Sequence, residues 1–224
     1  LEGASGNDFL TGGAGRDTAS FASSILGVTV NLASGSASGQ SIGTDKLREI
    51  ENVTGSKRAD TLTGNSAAND IDGLGGADTM TGGGGHDTYH VDSTSDVIAE
   101  LSNGGTDTVH SSVSLANTSA LAGFVENLVL IDAANPALNN LSATGNALAN
   151  KITGNRGNNT LDGGADALAD TLAGLAGNDI YYVNATDIIL EVSGQGTADR
   201  VRAYQTFKLA ADDHIEFLET AAAT

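Results

Sequence analysis

Aspartate and glycine recur at intervals of nine residues, and both residue types are suited to binding a hard cation. Residues 73–90 form two successive lines, GLGGADTMT and GGGGHDTYH, which follow the pattern G-G-x-G-x-D-x-U-x with U apolar. The glycines permit a tight turn whose carbonyl groups face inward, and the aspartate adds a carboxylate. Since Ca²⁺ prefers oxygen ligands of these two kinds, the pattern predicts calcium-binding turns.

Such lines fall into three blocks. The first occupies residues 1–20, the second 55–98 and the third, which is degenerate, 145–187. Asparagine replaces aspartate at position 69 of the second block and at positions 150 and 159 of the third, where one line is also two residues too long. The candidate metal ligands and turn glycines in these blocks are Asp8, Asp17, Asp60, Asn69, Gly73, Gly75, Asp78, Gly82, Gly84, Asp87, Asp96, Asp170, Gly174 and Asp179.

The nine-residue period also predicts which turns are neighbours. The x-U-x part of each line is a very short strand with one inward apolar side chain. Two lines then make one coil, so turns on the same side lie 18 residues apart, stacked about 4.8 Å from each other. The expected neighbours are Asp60 with Asp78, Asp78 with Asp96, and Asn69 with Asp87.

In the third block the same rule places Asn159 beside Asp179, and Asn150 beside the irregular loop that carries Asp166 and Asp170. A neutral amide still offers an oxygen but removes one charge. We therefore expect the strongest sites at residues 73–96, and weaker or partly metal-free sites in the third block.

In the first block, Asp8 and Asp17 begin stacks on opposite sides, and we expect their partners to lie upstream of the chain. The chain opens within a repeat, so we also expect it to be a fragment of a longer protein.

Between the blocks, residues 21–54, 99–144 and 188–224 lack the Asp-Gly turns but show alternating apolar residues typical of strands. We interpret them as strand-rich coils of the same solenoid, the last of them truncated. Small separate caps are the alternative.

A longer repeat of roughly 90 residues overlies the short one, because Tyr89-His90-Val91 recurs 92 residues later as Tyr181-Tyr182-Val183.

Composition limits the possible partners. The chain has 224 residues, with 28 acidic against 10 basic and a net charge of -18, which argues against binding to nucleic acid or to anionic lipid. There is no cysteine, so no disulfide holds the fold. No apolar run reaches the 18 residues that suggest a membrane span, and no signal peptide is visible.

The lines at 3–20, 73–90 and 174–182 make the chain resemble the RTX, or haemolysin-type calcium-binding repeat, family. The resemblance implies an all-β fold, a right-handed parallel β-roll or β-solenoid with Ca²⁺ in its turns. It also implies a bacterial protein exported by type I secretion machinery to the exterior or the cell surface.

The resulting hypothesis is a non-catalytic calcium-binding module that folds on calcium after secretion and stabilises a larger passenger formed by upstream domains. One alternative is the C-terminal part of a secreted hydrolase, protease or polysaccharide-modifying enzyme whose active site lies elsewhere. Another is an adhesin or surface-layer module that binds a glycan or a cell surface. Residues 39–43 fit the nucleophile pattern G-x-S-x-G, but no strand-to-helix turn is evident around them.

Overall fold

The computed structural model describes residues 1–102, 104–115, 123–133, 135–210 and 213–221. Over these residues the chain is all-β, as predicted, with 21 strands and one 3-10 helix at Pro136–Leu138. No helix in the described part is long and apolar enough to cross a membrane. Contacts between residues divide the chain into two compact units; of the described residues, unit 1 holds 1–109 and 123–124, and unit 2 holds 110–115 and 125–221.

Unit 1 contains two sheets of very short strands. The strands are β1 (Phe9–Thr11), β2 (Thr18–Ser20), β3 (Thr29–Asn31), β4 (Ser36–Gly39), β5 (Gly43–Arg48), β6 (Asn52–Thr54), β7 (Thr61–Thr63), β8 (Asp70–Asp72), β9 (Thr79–Thr81), β10 (Thr88–Val91) and β11 (Val97–Ile98). Strand β12 (Thr108–Ser111) contains the division between the two units. One sheet has the order β1-β5-β4-β3-β7-β9-β11, and the other contains β2-β6-β8-β10.

The repeat lines of unit 1 pair in the register that the sequence predicts. Strands β7 and β9 are parallel with Leu62 opposite Met80, and β8 and β10 are parallel with Ile71 opposite Tyr89. Each pair is therefore offset by one coil of 18 residues. This register places the turns that precede the strands directly above one another.

The segment at residues 21–54 only partly follows the expected parallel coils. Strand β3 pairs in parallel with β7, and β5 pairs in parallel with β1. Strand β4, however, is antiparallel to both β3 and β5. The connections are too short for a parallel crossover but suit antiparallel neighbours, and Gly35 and Gly43 supply left-handed backbone there, with φ of 66° and 85°.

Unit 2 contains β13 (Asn127–Leu130), β14 (Ser142–Thr144), β15 (Lys151–Thr153), β16 (Thr160–Asp162), β17 (Thr171–Ala173), β18 (Ile180–Val183), β19 (Ile188–Ile189), β20 (Arg200–Ala203) and β21 (Phe217–Thr220). Its two sheets are β13-β15-β17-β19 and β14-β16-β18-β20-β21, and all of these pairs are parallel.

The two extra residues of the third block do not disturb this pairing. Ile152 lies opposite Leu172, and Leu161 opposite Tyr181, each 20 residues apart rather than 18. The long line runs from Gly163 to Ala173, and its two extra residues lie in the turn before β17. The strands keep their register because each has an apolar side chain that must face the core.

The core of each unit is built from the apolar residue at the centre of each short strand. In unit 1 these side chains are fully buried in β7 to β11, and the residues are Leu62, Ile71, Met80, Tyr89 and Ile98. In unit 2 they are fully buried in β15 to β18, and the residues are Ile152, Leu161, Leu172 and Tyr181. The flanking residues of these strands are exposed or half-buried, with only Val91 and Val183, at the ends of β10 and β18, also buried. The predicted x-U-x strand with a single inward side chain is therefore confirmed, except that β10 and β18 are one residue longer and each bury a second side chain.

Leu161→Ala is expected to lower the free energy of unfolding by about 2–5 kcal/mol, because it opens a cavity in a core with little apolar volume to spare. Leu168→Ala is the matched control, since Leu168 lies in the nearby turn and is 47% exposed. Urea unfolding in saturating calcium would compare the two variants. Equal losses of stability would contradict the core described here.

Candidate metal centres

The aspartates of unit 1 are stacked by hydrogen bonds that run from one coil to the next. The backbone N–H of Asp60 donates to Oδ1 of Asp78 (2.8 Å), and the N–H of Asp78 donates to Oδ1 of Asp96 (3.1 Å). On the other side of the coil, the N–H of Asn69 donates to Oδ1 of Asp87 (2.7 Å). All three predicted neighbour pairs are therefore brought together.

Unit 2 repeats this arrangement. The N–H groups of Asn150 and Asn159 donate to Oδ1 of Asp170 (2.7 Å) and of Asp179 (2.6 Å). The irregular loop thus presents Asp170, rather than Asp166, to Asn150. Four interior aspartates are equivalent in the two units, Asp78 with Asp170 and Asp87 with Asp179, each 92 residues apart.

The second oxygen of these four aspartates is buried and, within the described residues, has no hydrogen-bond partner. The residues themselves are at most 1% exposed. In each line this Oδ2 is directed at the first glycine of the same turn, so a Cβ there would collide with it; the glycines are Gly73, Gly82, Gly163 and Gly174. A buried carboxylate oxygen without a donor is costly unless a cation compensates it, so these residues fit Ca²⁺.

Burial raises the pKa of each of the four carboxyl groups from its ordinary 3.8. The pKa of Asp87 rises to about 6, and those of Asp78, Asp170 and Asp179 rise to about 7. Hydrogen bonds from the preceding coil act in the opposite direction, and neighbouring carboxylates add to the rise. The charged form is thus disfavoured in the fold unless a positive charge accompanies it.

The aspartates at the ends of a stack differ from the interior ones. Asp60 accepts from the N–H of Ser56 (2.5 Å) at Oδ2 and from the N–H of Val28 (2.7 Å) at Oδ1. Oδ2 of Asp96 accepts from the N–H of Ser93 (3.1 Å). Their carboxylates are already satisfied by the protein, so their need for a cation is smaller.

The asparagine lines satisfy their turns with the amide group. Oδ1 of Asn69 accepts from the N–H of Asn65 (2.7 Å), and its Nδ2 donates to the carbonyl of Glu51 in the preceding coil (2.7 Å). Asn150 and Asn159 make the same two kinds of bond. The amide N–H therefore reaches a backbone carbonyl of the previous coil without help from a cation.

The aspartates of the first block, Asp8 and Asp17, have downstream partners, and the expectation of further partners upstream stays a prediction. The N–H of Asp8 donates to Oδ1 of Asp45 (2.9 Å), and the N–H of Asp17 donates to the carboxylate of Glu51 (2.9 Å). The insertion of β3–β5 moves these partners 37 and 34 residues along the chain, beyond the reach of an 18-residue rule. Oδ2 of Asp8 and Asp17 is buried and has no partner in the described chain.

Several carboxylates that complete the stacks lie outside the nine-residue frame and were not predicted. They are Asp45, Glu51, Asp107, Asp187 and Asp199, which accept from Asp8, Asp17, Asp87, Asp170 and Asp179 respectively. The longer repeat could have revealed three of them, because Asp107 recurs as Asp199 and Asp187 follows the predicted Asp96 by 91 residues. Asp45 and Glu51 come from the segment between the first and second blocks, and the nine-residue motif does not encode where that segment passes beside the first block.

The glycines of the motif are not equivalent. A Cβ on Gly75 meets nothing within 4 Å, and one on Gly84 makes only ordinary contacts. The second position of the turn has left-handed backbone, with φ of 102° at Gly83. Leu74 adopts this conformation at the equivalent position, with φ of 57°, so glycine is not essential there. The first glycine, beside the aspartate, is therefore the one that the carboxylate requires.

The G-x-S-x-G pattern lies in the turn between β4 and β5, so it joins two strands rather than a strand and a helix. The Ser41 hydroxyl contacts the Ser24 hydroxyl at 2.5 Å. This is not the strand-to-helix geometry of a nucleophile elbow.

Comparison with known proteins adds a family assignment to this geometry. The sequence profile of the RTX calcium-binding nonapeptide repeat matches the chain in four copies, at residues 1–20, 54–98, 144–181 and 169–185. A search of curated proteins finds no significant match. The matched ranges contain the four interior aspartates and the first-block aspartates.

Gly73→Ala is expected to weaken calcium binding and to lower the free energy of unfolding by about 1–3 kcal/mol, because the new Cβ competes with Oδ2 of Asp78 for space. Gly75→Ala is the matched control within the same turn. Calcium titration calorimetry and urea unfolding would measure both. If the two variants behave alike, the first glycine does not have the role assigned here.

Without calcium, the protein is expected to become less stable as the pH rises. The folded pKa values of about 6 to 7 exceed the unfolded value of 3.8, so the folded state holds more protons between these limits and loses stability as they leave. In EDTA the far-ultraviolet β signal should therefore be larger at about pH 5 than at about pH 8. In saturating calcium the urea midpoint should instead be lower at about pH 5 than at about pH 8, because protons then displace the ion. A β signal in EDTA that does not fall as the pH rises would refute the buried, raised-pKa carboxylates.

Proposed function

Because this chain belongs to the RTX calcium-binding repeat family, we propose that it is a non-catalytic module of a secreted bacterial protein, and that it folds when calcium binds. The observation that carries the proposal is the set of four buried aspartates whose Oδ2 atoms have no partner in the described chain. Each would be held in a turn where glycine and carbonyl groups surround the carboxylate. The solenoid is then the calcium-bound form of a chain whose carboxylates otherwise repel one another.

Within this proposal, the interior aspartates Asp78, Asp87, Asp170 and Asp179 are the principal ligands, because they combine full burial, a raised pKa and an uncompensated oxygen. Asp8 and Asp17 have the same uncompensated oxygen in the first block. The remaining aspartates of the sequence prediction, Asp60 and Asp96, would contribute less, since protein donors already occupy both of their oxygens.

The asparagine lines would be metal-independent turns. The sequence predicts Asn69 as a ligand, but protein groups already bond both its amide oxygen and its amide nitrogen. The expectation that the third block binds calcium more weakly than the second stays a prediction. Its two interior aspartates, Asp170 and Asp179, make the same contacts as those of the second block.

Calcium binding of this kind can control folding. A ligand present at about 100 times its dissociation constant adds about 2.7 kcal/mol for each independent site. Domain stabilities are typically about 5–15 kcal/mol, so several sites together can decide whether the chain is folded. The net charge of -18 also couples folding to calcium, because the carboxylates of the folded chain repel one another and divalent ions relieve that repulsion.

This coupling suits export through type I secretion machinery. Low cytosolic calcium would leave the chain unfolded and able to thread, and extracellular calcium would fold it outside the bacterium. The absence of cysteine is compatible with folding that uses ions rather than disulfides. The upstream domains of the parent protein would then be the passenger that the solenoid stabilises.

A passenger with hydrolase, protease or polysaccharide-modifying activity fits the same module, with the active site outside this chain. The adhesive alternative would need a row of open aromatic faces. In the described residues the nearest approach is one tyrosine pair, Tyr182 and Tyr204, with ring centroids 5.9 Å apart, and Arg202 lies over the Tyr182 ring. We therefore favour the calcium-folding role.

Far-ultraviolet circular dichroism during a calcium titration of the EDTA-stripped chain tests the proposal, with magnesium as the control. A cooperative gain of β signal with calcium alone is expected, because Mg²⁺ keeps its waters and demands a stricter octahedral geometry. A complete β signal in EDTA would show that the solenoid folds without metal. Calcium would then be a local stabiliser, and the folding role would be wrong.

A further inference from the structure

Each unit contains a buried cluster of three carboxylates that the nonapeptide pattern does not describe. In unit 1 the cluster consists of Asp87, Glu100 and Asp107, and one oxygen from each lies within 4.8 Å of the others. Only Asp87 belongs to a nonapeptide line; Glu100 follows β11, and Asp107 directly precedes β12. All three side chains are buried.

The same cluster occurs in unit 2, built from Asp179, Glu191 and Asp199 under the same distance limit. These residues follow their counterparts in unit 1 by 92, 91 and 92 residues. Here too the first aspartate belongs to a repeat line, and the other two carboxylates come from the segment after it. Two independent parts of the chain therefore build one arrangement.

A buried tyrosine hydroxyl holds the glutamate of each cluster. The Tyr89 hydroxyl accepts from the N–H of Gly82 (2.6 Å) and donates to the carboxylate of Glu100. The other oxygen of Glu100 accepts from the N–H of Leu101 (2.8 Å). The glutamate is thus fixed in place at both oxygens rather than extended into solvent.

In unit 2 the contacts are the same. The Tyr181 hydroxyl accepts from the N–H of Gly174 (2.9 Å) and donates to Glu191, whose other oxygen accepts from the N–H of Val192 (3.2 Å). Tyr89 and Tyr181 are both fully buried.

The uncompensated oxygen of the repeat aspartate points into this cluster. Oδ1 of Asp87 faces the N–H of Asn69, which leaves Oδ2 on the side of Tyr89. The place that a Cβ on Gly82 would occupy touches both Oδ2 of Asp87 and the Tyr89 hydroxyl. Oδ2 has no partner in the described chain, although Asp87 is 99% buried (1% exposed).

In unit 2, Oδ2 of Asp179 is also without a partner among the described residues, and a Cβ on Gly174 would touch both it and the Tyr181 hydroxyl. An unsatisfied oxygen beside two further buried carboxylates requires a positive charge.

The donor set selects a hard cation. It consists of carboxylate oxygens, which suit Ca²⁺ and other oxygen-preferring ions rather than zinc or copper. His86 is nearby in sequence but exposed, and its Nδ1 accepts from the N–H of Thr106 (2.9 Å). In unit 2 its place is taken by Asn178, whose Oδ1 accepts from the N–H of Thr197 (3.0 Å).

We propose that each of these two clusters is a divalent-cation site of its own type, in which Glu100 with Asp107, and Glu191 with Asp199, complete the site begun by Asp87 and by Asp179. The proposal rests on the calcium-binding function proposed above for the identity of the ion. Three buried carboxylates give these sites more negative charge than a nonapeptide turn supplies, and ligand charge count sets calcium affinity. They are therefore the tightest sites of the chain and the first to fill.

Calorimetric counting of bound calcium tests the assignment with variants that leave every nonapeptide residue intact. Glu100→Gln and Glu191→Gln keep an oxygen acceptor for the tyrosine hydroxyl but remove the charge. Each should abolish the tightest binding step of its unit, with the loss of one high-affinity ion per chain, and the double variant should lose two. Glu49→Gln is the matched control, since Glu49 is exposed and pairs with Arg48.

The tyrosines provide a second readout that needs no change to a carboxylate. The chain has no tryptophan and four tyrosines, so Tb³⁺ in these sites should show luminescence excited through Tyr89 and Tyr181. Calcium should displace it at the lowest concentrations of the titration. Tyr89→Phe with Tyr181→Phe should remove most of the luminescence, whereas Tyr182→Phe should leave it.

The outcomes separate this proposal from the one on which it rests. If the unaltered chain binds no calcium, the calcium-binding function itself fails. If it binds calcium and both glutamine variants retain the full number of tight ions, the three-carboxylate sites are wrong while the nonapeptide sites stand. If the glutamine variants do not fold, the terbium experiment decides. Terbium that binds the unaltered chain without tyrosine-excited luminescence would overturn the assignment. Luminescence that is lost in the Tyr89→Phe, Tyr181→Phe double variant would support it.

Discussion

A hydrogen bond from a backbone N–H of one coil to a buried carboxylate of the next is the interaction on which the rest of this structure depends. It occurs at Asp78, Asp87, Asp170 and Asp179 with distances of 2.6–2.8 Å. It fixes the vertical spacing of the turns and so the register of the strands that follow them. It also buries an acidic group in which only one oxygen is satisfied by the protein, so the same residue that links the coils creates the demand for a cation.

The turns meet this demand in two chemically different ways. Where the residue is asparagine, as at Asn69 and Asn159, the amide N–H bonds a carbonyl of the preceding coil and the turn is complete. Where it is aspartate, Oδ1 replaces the amide nitrogen and accepts an N–H of the preceding coil, whereas Oδ2 lies beside the first glycine without a donor in the described chain, which favours a cation there. The two kinds of turn lie next to each other in both units, because Asn69 precedes Asp87 and Asn159 precedes Asp179 in the same stack. On the assignment proposed above, a stack would contain both metal-independent and metal-dependent levels.

The irregularities of the chain are accommodated in turns and not in strands. The long line before Asp170 leaves Ile152 opposite Leu172, and the antiparallel excursion through β4 leaves β3 and β5 in parallel contact with repeat strands. A strand of three residues has one inward position, so a slip by one residue would expose its only core side chain. Turns carry no such constraint and can lengthen at small entropic cost.

The sequence alone determined the repeat, the all-β fold, the 18-residue neighbours such as Asp78 with Asp96, and the choice of oxygen chemistry. These follow from local rules, because the spacing of glycine, aspartate and one apolar residue acts within nine positions. Only the tertiary structure decided which carboxylates complete each stack, since Asp45 and Glu51 come from a segment with no motif and Asp107 lies 20 residues from Asp87. It alone also distinguished an aspartate with an uncompensated oxygen from one that Ser56 or Ser93 already satisfies. The physical reason is that a carboxylate's need for a cation depends on every donor and charge around it after folding, and most of those arrive from neighbouring coils.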